Sequence, residues 1–207
     1  MNRLEALRYS LCVVVAVLAV GAVLSYSTNG FTTFTYESAR RADVVESPVT
    51  LSNWQLEDGS GNLVGLHDFG DGLLLVDFIY TRCPTVCRAL GSRYSQLQAS
   101  IDSDPEQSVT LLSVSIDPDF DTPGQLQNYR QRHGGQSGSW RVARPQDTSN
   151  LQQLKDDTGI RVIPDGWGGF AHSESVHVIQ DGRLVGILDW DSDQLASLAG
   201  SSGLLMR

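Results

Sequence analysis

The stretch from Leu73 to Leu90, L-L-L-V-D-F-I-Y-T-R-C-P-T-V-C-R-A-L, constrains this chain most, because it sets a run of strand formers directly before two cysteines. From Leu73 to Tyr80 only Asp77 breaks the apolar character, as befits a strand buried on both faces of a partly parallel sheet. Pro84 suits the first turn of a helix, and Val86, Ala89, Leu90, Tyr94 and Leu97 recur at helical spacing. The cysteines therefore sit where a strand gives way to a helix. With a helix beginning near Pro84, Cys83 stands at or just before its N-terminus and Cys87 lies one turn in, on the same side. Unpaired N–H groups and the positive helix end lower thiol pKa there, favouring the thiolate that binds metals and attacks disulfides.

With 207 residues, 41% of them hydrophobic, the chain has room for one domain with a true core plus extra segments. A net charge of −9 with no Lys/Arg cluster argues against nucleic acid as a partner and against an anionic membrane surface held by charge. Of three cysteines, Cys12 lies in an N-terminal apolar run, which leaves Cys83 and Cys87 as the pair of the folded part. That is too few for a disulfide-stapled scaffold, so the pair reads as chemical.

Arg3 and Arg8 precede an apolar run from Leu11 to Leu24, flanked by Tyr9 and Tyr26. The pattern is an export signal: either an uncleaved anchor or a cleaved signal peptide. No convincing A-x-A site follows it and no lipobox leads into Cys12, which favours an anchor over residues 11–26. Residues 1–10 then stay in the cytoplasm and the rest lies across the membrane, in a periplasm or a mitochondrial intermembrane space. Residues 27–45 are polar, lack sustained periodicity and read as a tether; the folded domain spans 46–207.

Within it, Val49–Leu56 and Asn62–Leu66 flank Asp58-Gly59-Ser60-Gly61 and predict a hairpin. Val109–Ile116 predicts a second core strand ending at Asp117-Pro118, and Thr122-Pro123 opens a helix that stops at Gly134-Gly135. Thr148–Thr158 reads as a helix, Ser175–Ile179 and Leu184–Leu188 as a closing hairpin, and residues 193–198 as a last helix. This order predicts an α/β thioredoxin-like sandwich, with a central mixed sheet flanked by helices and an N-terminal hairpin and anchor.

C-x-x-x-C is one residue wider than the common dithiol motif. It still permits a disulfide, and it also lets two thiolates face one ligand position from a single turn. Soft thiolates select Cu(I) and, less exclusively, Zn(II), and copper needs at least one more donor. Among four histidines, His67 and His133 read mainly as surface residues. His172 follows the flexible-looking stretch Pro164 to Ala171 and ranks first as third ligand; His177, inside a predicted strand, ranks second. Asp117 projects at the carboxyl edge of the sheet, either as a turn former or as a carboxylate orienting a ligand or the cysteine loop.

D-F-I-Y-T-R-C-P-T-V-C, then S-I-D-P-D-F-D-T-P, then a lone histidine before a strand and a D-G hairpin: over roughly residues 46–190 the chain resembles the Sco/SenC family of membrane-anchored copper chaperones. The resemblance implies a thioredoxin-like fold and one copper ion, Cu(I) and also Cu(II), held by Cys83, Cys87 and His172, with Asp117 at the family's aspartate. It implies as partner the copper-accepting subunit of a terminal oxidase, or another copper protein, and a role in building the binuclear copper centre of cytochrome c oxidase by copper delivery, thiol reduction or both. Ala171 stands where the family often has Asp before the histidine. The competing reading is a thiol-disulfide oxidoreductase cycling Cys83 and Cys87 without metal.

Overall fold

The computed structural model describes residues 3–28, 30, 35–70, 72–83, 86–103, 108–135, 138–166, 168–172, 175–190, 194–195 and 198, with side chains for all of these except 3–7, 10 and 86–90. The chain divides between Glu46 and Ser47 into two compact units.

The first unit holds helix α1 (Arg3–Ser27) and helix α2 (Tyr36–Glu46). Val13, Val14, Val15, Val17, Leu18 and Val20 are all exposed, so α1 is apolar on every face. Among the described residues no helix is long and apolar enough to cross a membrane. Helix α2 forms where the polar composition predicts an aperiodic segment. Local bonds support it: Thr35 N–H donates to Ser38 Oγ at 3.0 Å and Ser38 N–H to Thr35 Oγ1 at 3.1 Å, capping the start. Glu37 then pairs with Arg40 at 2.8 Å and Arg41 at 3.3 Å, one turn along. Such a helix carries no apolar stripe for a periodicity search to find.

The second unit is built on an eight-stranded sheet of order β1-β10-β9-β4-β5-β6-β2-β3. Strands β4 (Leu73–Ile79), β5 (Val109–Ser115) and β6 (Trp140–Pro145) run parallel at its centre, in register Ile79 to Ser115 and Ser113 to Val142. The rest pair antiparallel: β1 (Val49–Thr50), β2 (Leu56–Asp58), β3 (Leu63–Val64), β9 (Ser175–Gln180) and β10 (Arg183–Asp189). Strands β4 and β5 are buried on both faces almost throughout, which is why they read as continuous apolar runs. Asp181 and Gly182, with φ of 51° and 69°, form the tight β9–β10 turn whose twist matches the strands it joins.

Helices α3 (Val86–Asp102) and α4 (Pro123–Arg132) follow β4 and β5. Both pack on the sheet face that carries Trp140, whose ring meets Tyr94 of α3 at 5.6 Å and Tyr129 of α4 at 6.4 Å. Thr122 caps α4 through a reciprocal pair with Gln125, and Pro123 opens it. Helix α5 (Thr148–Thr158) has the bounds its sequence predicts, capped by Asp147 and ended by left-handed Gly159.

Three expectations are corrected. Val49–Leu56 is not one hairpin strand: β1 pairs with β10 at one edge of the sheet, whereas β2 pairs with β6 and β3 at the other. The link between them is held by α5 instead of by a strand partner, because the Asp157 carboxylate accepts from Ser52 N–H and Trp54 Nε1–H, each at 2.9 Å. Strand β6 was not expected, although W-R-V-A-R alternates as a strand does. The flexible stretch before His172 is a small antiparallel hairpin, β7 (Val162–Pro164) with β8 (Phe170–His172). Of the expected last helix, residues 194–195 and 198 are helical and the rest lie outside the described residues.

Candidate metal centre

Parallel strands end together at one edge of a sheet, and here β4 and β5 do so side by side, Ile116 N–H donating to Ile79 O at 2.8 Å. Just beyond that edge the chain turns, Cys83 N–H donating to Tyr80 O at 3.2 Å. Cys83 is half-buried and precedes α3, and Cys87 is the second residue of that helix. Its side chain, and Pro84 with Thr85, lie outside the described residues. With α3 assigned from Val86, Cys87 stands in the first helical turn, where unpaired N–H groups favour a thiolate.

His172 closes β8 and is half-buried. Tyr80 links it to the cysteine loop: this nearly buried ring, three residues before Cys83, meets Phe170 edge-on at 5.3 Å and His172 at 6.1 Å. The glycine-rich stretch before His172 makes the hairpin turn, with Asp165 N–H donating to Gly169 O at 3.0 Å and Gly169 N–H returning to Asp165 Oδ1 at 2.9 Å. The register pairing Val162 with His172 places the imidazole at the open end of that hairpin.

Asp117 follows β5 and is nearly buried. Its Oδ2 accepts from Arg82 Nε at 3.1 Å and Nη2 at 2.5 Å, so the carboxylate contacts the residue beside Cys83. Arg82 also lies over the Phe120 ring at 4.2 Å. Arg144, from β6, holds the same turn by donating to Pro118 O at 2.6 Å. The other histidines stand apart from this edge. His67 is exposed on a 3₁₀ turn, His133 caps α4 against Tyr129 at 4.7 Å, and His177 is fully buried in β9 with Phe78 at 5.0 Å. Among the described residues no three His, Cys, Asp or Glu side chains form a ready metal cluster. The donor chemistry of Cys83, Cys87 and His172 suits a soft ion.

Of two buried acids that the sequence reading assigned no role, Asp121 shapes this edge and Asp77 lies behind it in the core. Asp121 is fully buried and accepts from Thr81 N–H at 3.0 Å, Thr81 Oγ1 at 2.5 Å and Ser115 Oγ at 2.6 Å. Its signal was the third acid of S-I-D-P-D-F-D-T-P. Asp77 lies in the middle of β4, and burial pushes its carboxyl up to about 7. The Ser113 and Tyr94 hydroxyls approach closely enough to offset part of that rise. Tyr94 Oη is committed elsewhere, donating to Leu75 O, whereas Ser113 Oγ accepts from Trp140 Nε1 and keeps its own proton to donate; both bonds are 3.0 Å. Neither Asp77 oxygen has a hydrogen bond of normal geometry among the described residues. Its signal was the lone charge in an apolar strand.

A mixed sheet with a cysteine pair at the junction of its first central strand and the following helix, the second cysteine in the first helical turn, defines a thioredoxin-like α/β domain. Residues 43–194 match the family model SCO1/SenC, and the chain belongs to that family. It is 26% identical over 141 residues to a SCO1 protein homolog of Bacillus subtilis (strain 168), covering 67% of this chain and 70% of the homolog. Among solved structures, Bradyrhizobium japonicum ScoI with copper bound superposes with a TM-score of 0.61 at 21% identity, covering 73% of this chain and 98% of that one. BsSco, described as having a disulfide switch and as a member of the Sco family of cytochrome c oxidase assembly proteins, superposes with a TM-score of 0.62 at 18% identity, covering 74% and 95%.

Proposed function

We propose that this chain is a membrane-anchored copper chaperone, which carries copper on Cys83, Cys87 and His172 and delivers it to, or prepares the thiols of, the binuclear copper centre of cytochrome c oxidase. The observation that carries the reading is the meeting of elements at one sheet edge: the Cys83 turn, the Asp117 turn bound to Arg82, and the His172 hairpin packed on Tyr80. Family membership and the copper-bound relative support it. Two thiolates and an imidazole give Cu(I) a three-coordinate setting open to an incoming target thiol, and an added ligand would accommodate Cu(II). Asp117, neutralised by Arg82, orients the cysteine loop in this reading.

The anchor is α1. Its Leu11–Leu24 run spans about 21 Å and Tyr9–Tyr26 about 27 Å at ~1.5 Å per residue, close to the ~30 Å of a bilayer core. Apolar exposure on every face supports insertion, with Arg3 and Arg8 cytoplasmic and the second unit on the far side.

The test is anaerobic Cu(I) titration of the reduced full chain in detergent, with Cys83→Ser, Cys87→Ser and His172→Ala in parallel. One equivalent is expected for wild type, with loss in either Ser variant and weakened binding in His172→Ala. A wild-type chain that takes up no copper, or a His172→Ala chain that binds as tightly as wild type, overturns the reading. A second reading, thiol-disulfide exchange without metal, draws on the position of Cys83 and Cys87 at a helix start. It predicts that His172→Ala still reduces a target disulfide at the wild-type rate.

A further inference from the structure

Thr81, Arg82 and Cys83 follow one another just past β4, and each is held by a different group. Cys83 N–H bonds back to Tyr80 O at 3.2 Å. Arg82 reaches Asp117 and Phe120, but it is exposed, and solvent screens such a pair. Thr81 is held differently: its amide and its hydroxyl both donate to the carboxylate of Asp121, which is fully buried. Charge-assisted hydrogen bonds in a buried site are the strong ones. The β4–β5 ladder stops at Ile116, so Asp121 acts as a side-chain continuation of the ladder past the end of the sheet.

The same carboxylate governs the facing turn. Ser115 Oγ donates to Asp121 Oδ2 at 2.6 Å while accepting Asp117 N–H at 3.0 Å. Asp121 N–H donates to Asp117 O at 2.9 Å. Three donors converge on one acceptor-only group, a demand that an ionised carboxylate meets and an amide, with one oxygen and two N–H donors, cannot. We infer that Asp121 is a positioning residue for Cys83: through Thr81, and with Ser115 as the bridge to the Asp117 turn, it presets the direction in which the cysteine loop leaves the sheet. The copper part of this inference rests on the proposed function; the thiol part does not.

The experiment compares Asp121→Asn, Thr81→Val and Thr81→Ser in the full chain. It reads Cu(I) affinity by competition with a chromophoric chelator, and the Cys83–Cys87 dithiol–disulfide equilibrium in a glutathione buffer. Thermal unfolding monitors the fold. In folded Asp121→Asn and Thr81→Val, Cu(I) affinity is expected to fall about tenfold, the range seen when groups supporting metal ligands are removed. Disulfide formation falls with it, because a freed Cys83 lowers the effective concentration of one thiol at the other. Thr81→Ser, which keeps the hydroxyl, is expected to match wild type. A role confined to stability would lower the unfolding temperature and leave both equilibria unmoved, and that result overturns the inference. Should Asp121→Asn not fold, Thr81→Val decides, since it removes one bond of the clamp and keeps the amide. Failure of wild type to bind copper sinks the proposed function alone; the disulfide equilibrium still judges the clamp.

Discussion

Replacing Asp77 by Asn is expected to change how the stability of the second unit depends on pH. The carboxyl is enclosed by β4, β5 and α3, and burial raises it from 3.8 to about 7. Its neighbours bring no cation to offset the charge: Tyr94, pushed well above 10 by burial, stays neutral, and Ser113 and Trp140 do not ionise. Below pH ~4 both folded and unfolded chains hold the proton, and nothing is lost. Between ~4 and ~7 the unfolded chain ionises while the folded one does not, so stability falls as pH rises, by up to ~1.36 kcal/mol per unit. Three units give about 4 kcal/mol of destabilisation, fully present at pH 8. Asn removes the ionisation and adds a buried amide donor without a partner, at about 1 kcal/mol. Asp77→Asn is therefore expected to be about 1 kcal/mol less stable than wild type near pH 4 and about 3 kcal/mol more stable at pH 8. Urea unfolding of the unit from Ser47 onward, followed by tryptophan fluorescence at each pH unit from 4 to 8, measures this directly. Every other carboxylate is common to both proteins, so the difference profile isolates Asp77. Parallel profiles, or a variant less stable than wild type at pH 8, would refute the reasoning.

Two further expectations come from packing. Gly91 lies on α3 one turn past Cys87, and a Cβ there would stand 2.4 Å from His133 Cγ at the end of α4. Gly91→Ala should cost about 1–3 kcal/mol of stability by overpacking, measured by urea unfolding, and Gly91→Ala with His133→Ala should recover most of it. In α1, Val17 is exposed amid other apolar side chains, and Val17→Lys is expected to add about 3 kcal/mol to the cost of insertion. The variant chain should move from the membrane to the soluble fraction, and wild-type fractionation of that variant would tell against the anchor.

Much of this was readable because the controlling forces are local. Leu73–Ile79 and Val109–Ser115 are continuous apolar runs, and only a strand covered on both faces tolerates that, so their place in a central parallel pair was legible. The bounds of α5, the Thr122 cap and the Asp181-Gly182 turn follow from backbone chemistry within a few residues. So does the placing of Cys83 before a helix and Cys87 in its first turn, just past a strand. Helix α2 escaped because charge pairs and a cap hold it, not an apolar stripe. What only the tertiary structure decided depends on partners far away in the chain. Strands β1 and β2, five residues apart, separate to opposite edges because Asp157 captures the link between them. The loop before His172 became a hairpin docked on Tyr80, ninety-odd residues earlier in the sequence. Asp121 looked like one acid in a turn until the sheet edge brought Thr81 and Ser115 onto its oxygens. Asp77 acquired its raised pKa only when α3 closed over β4, since burial belongs to the assembled core and not to the residue.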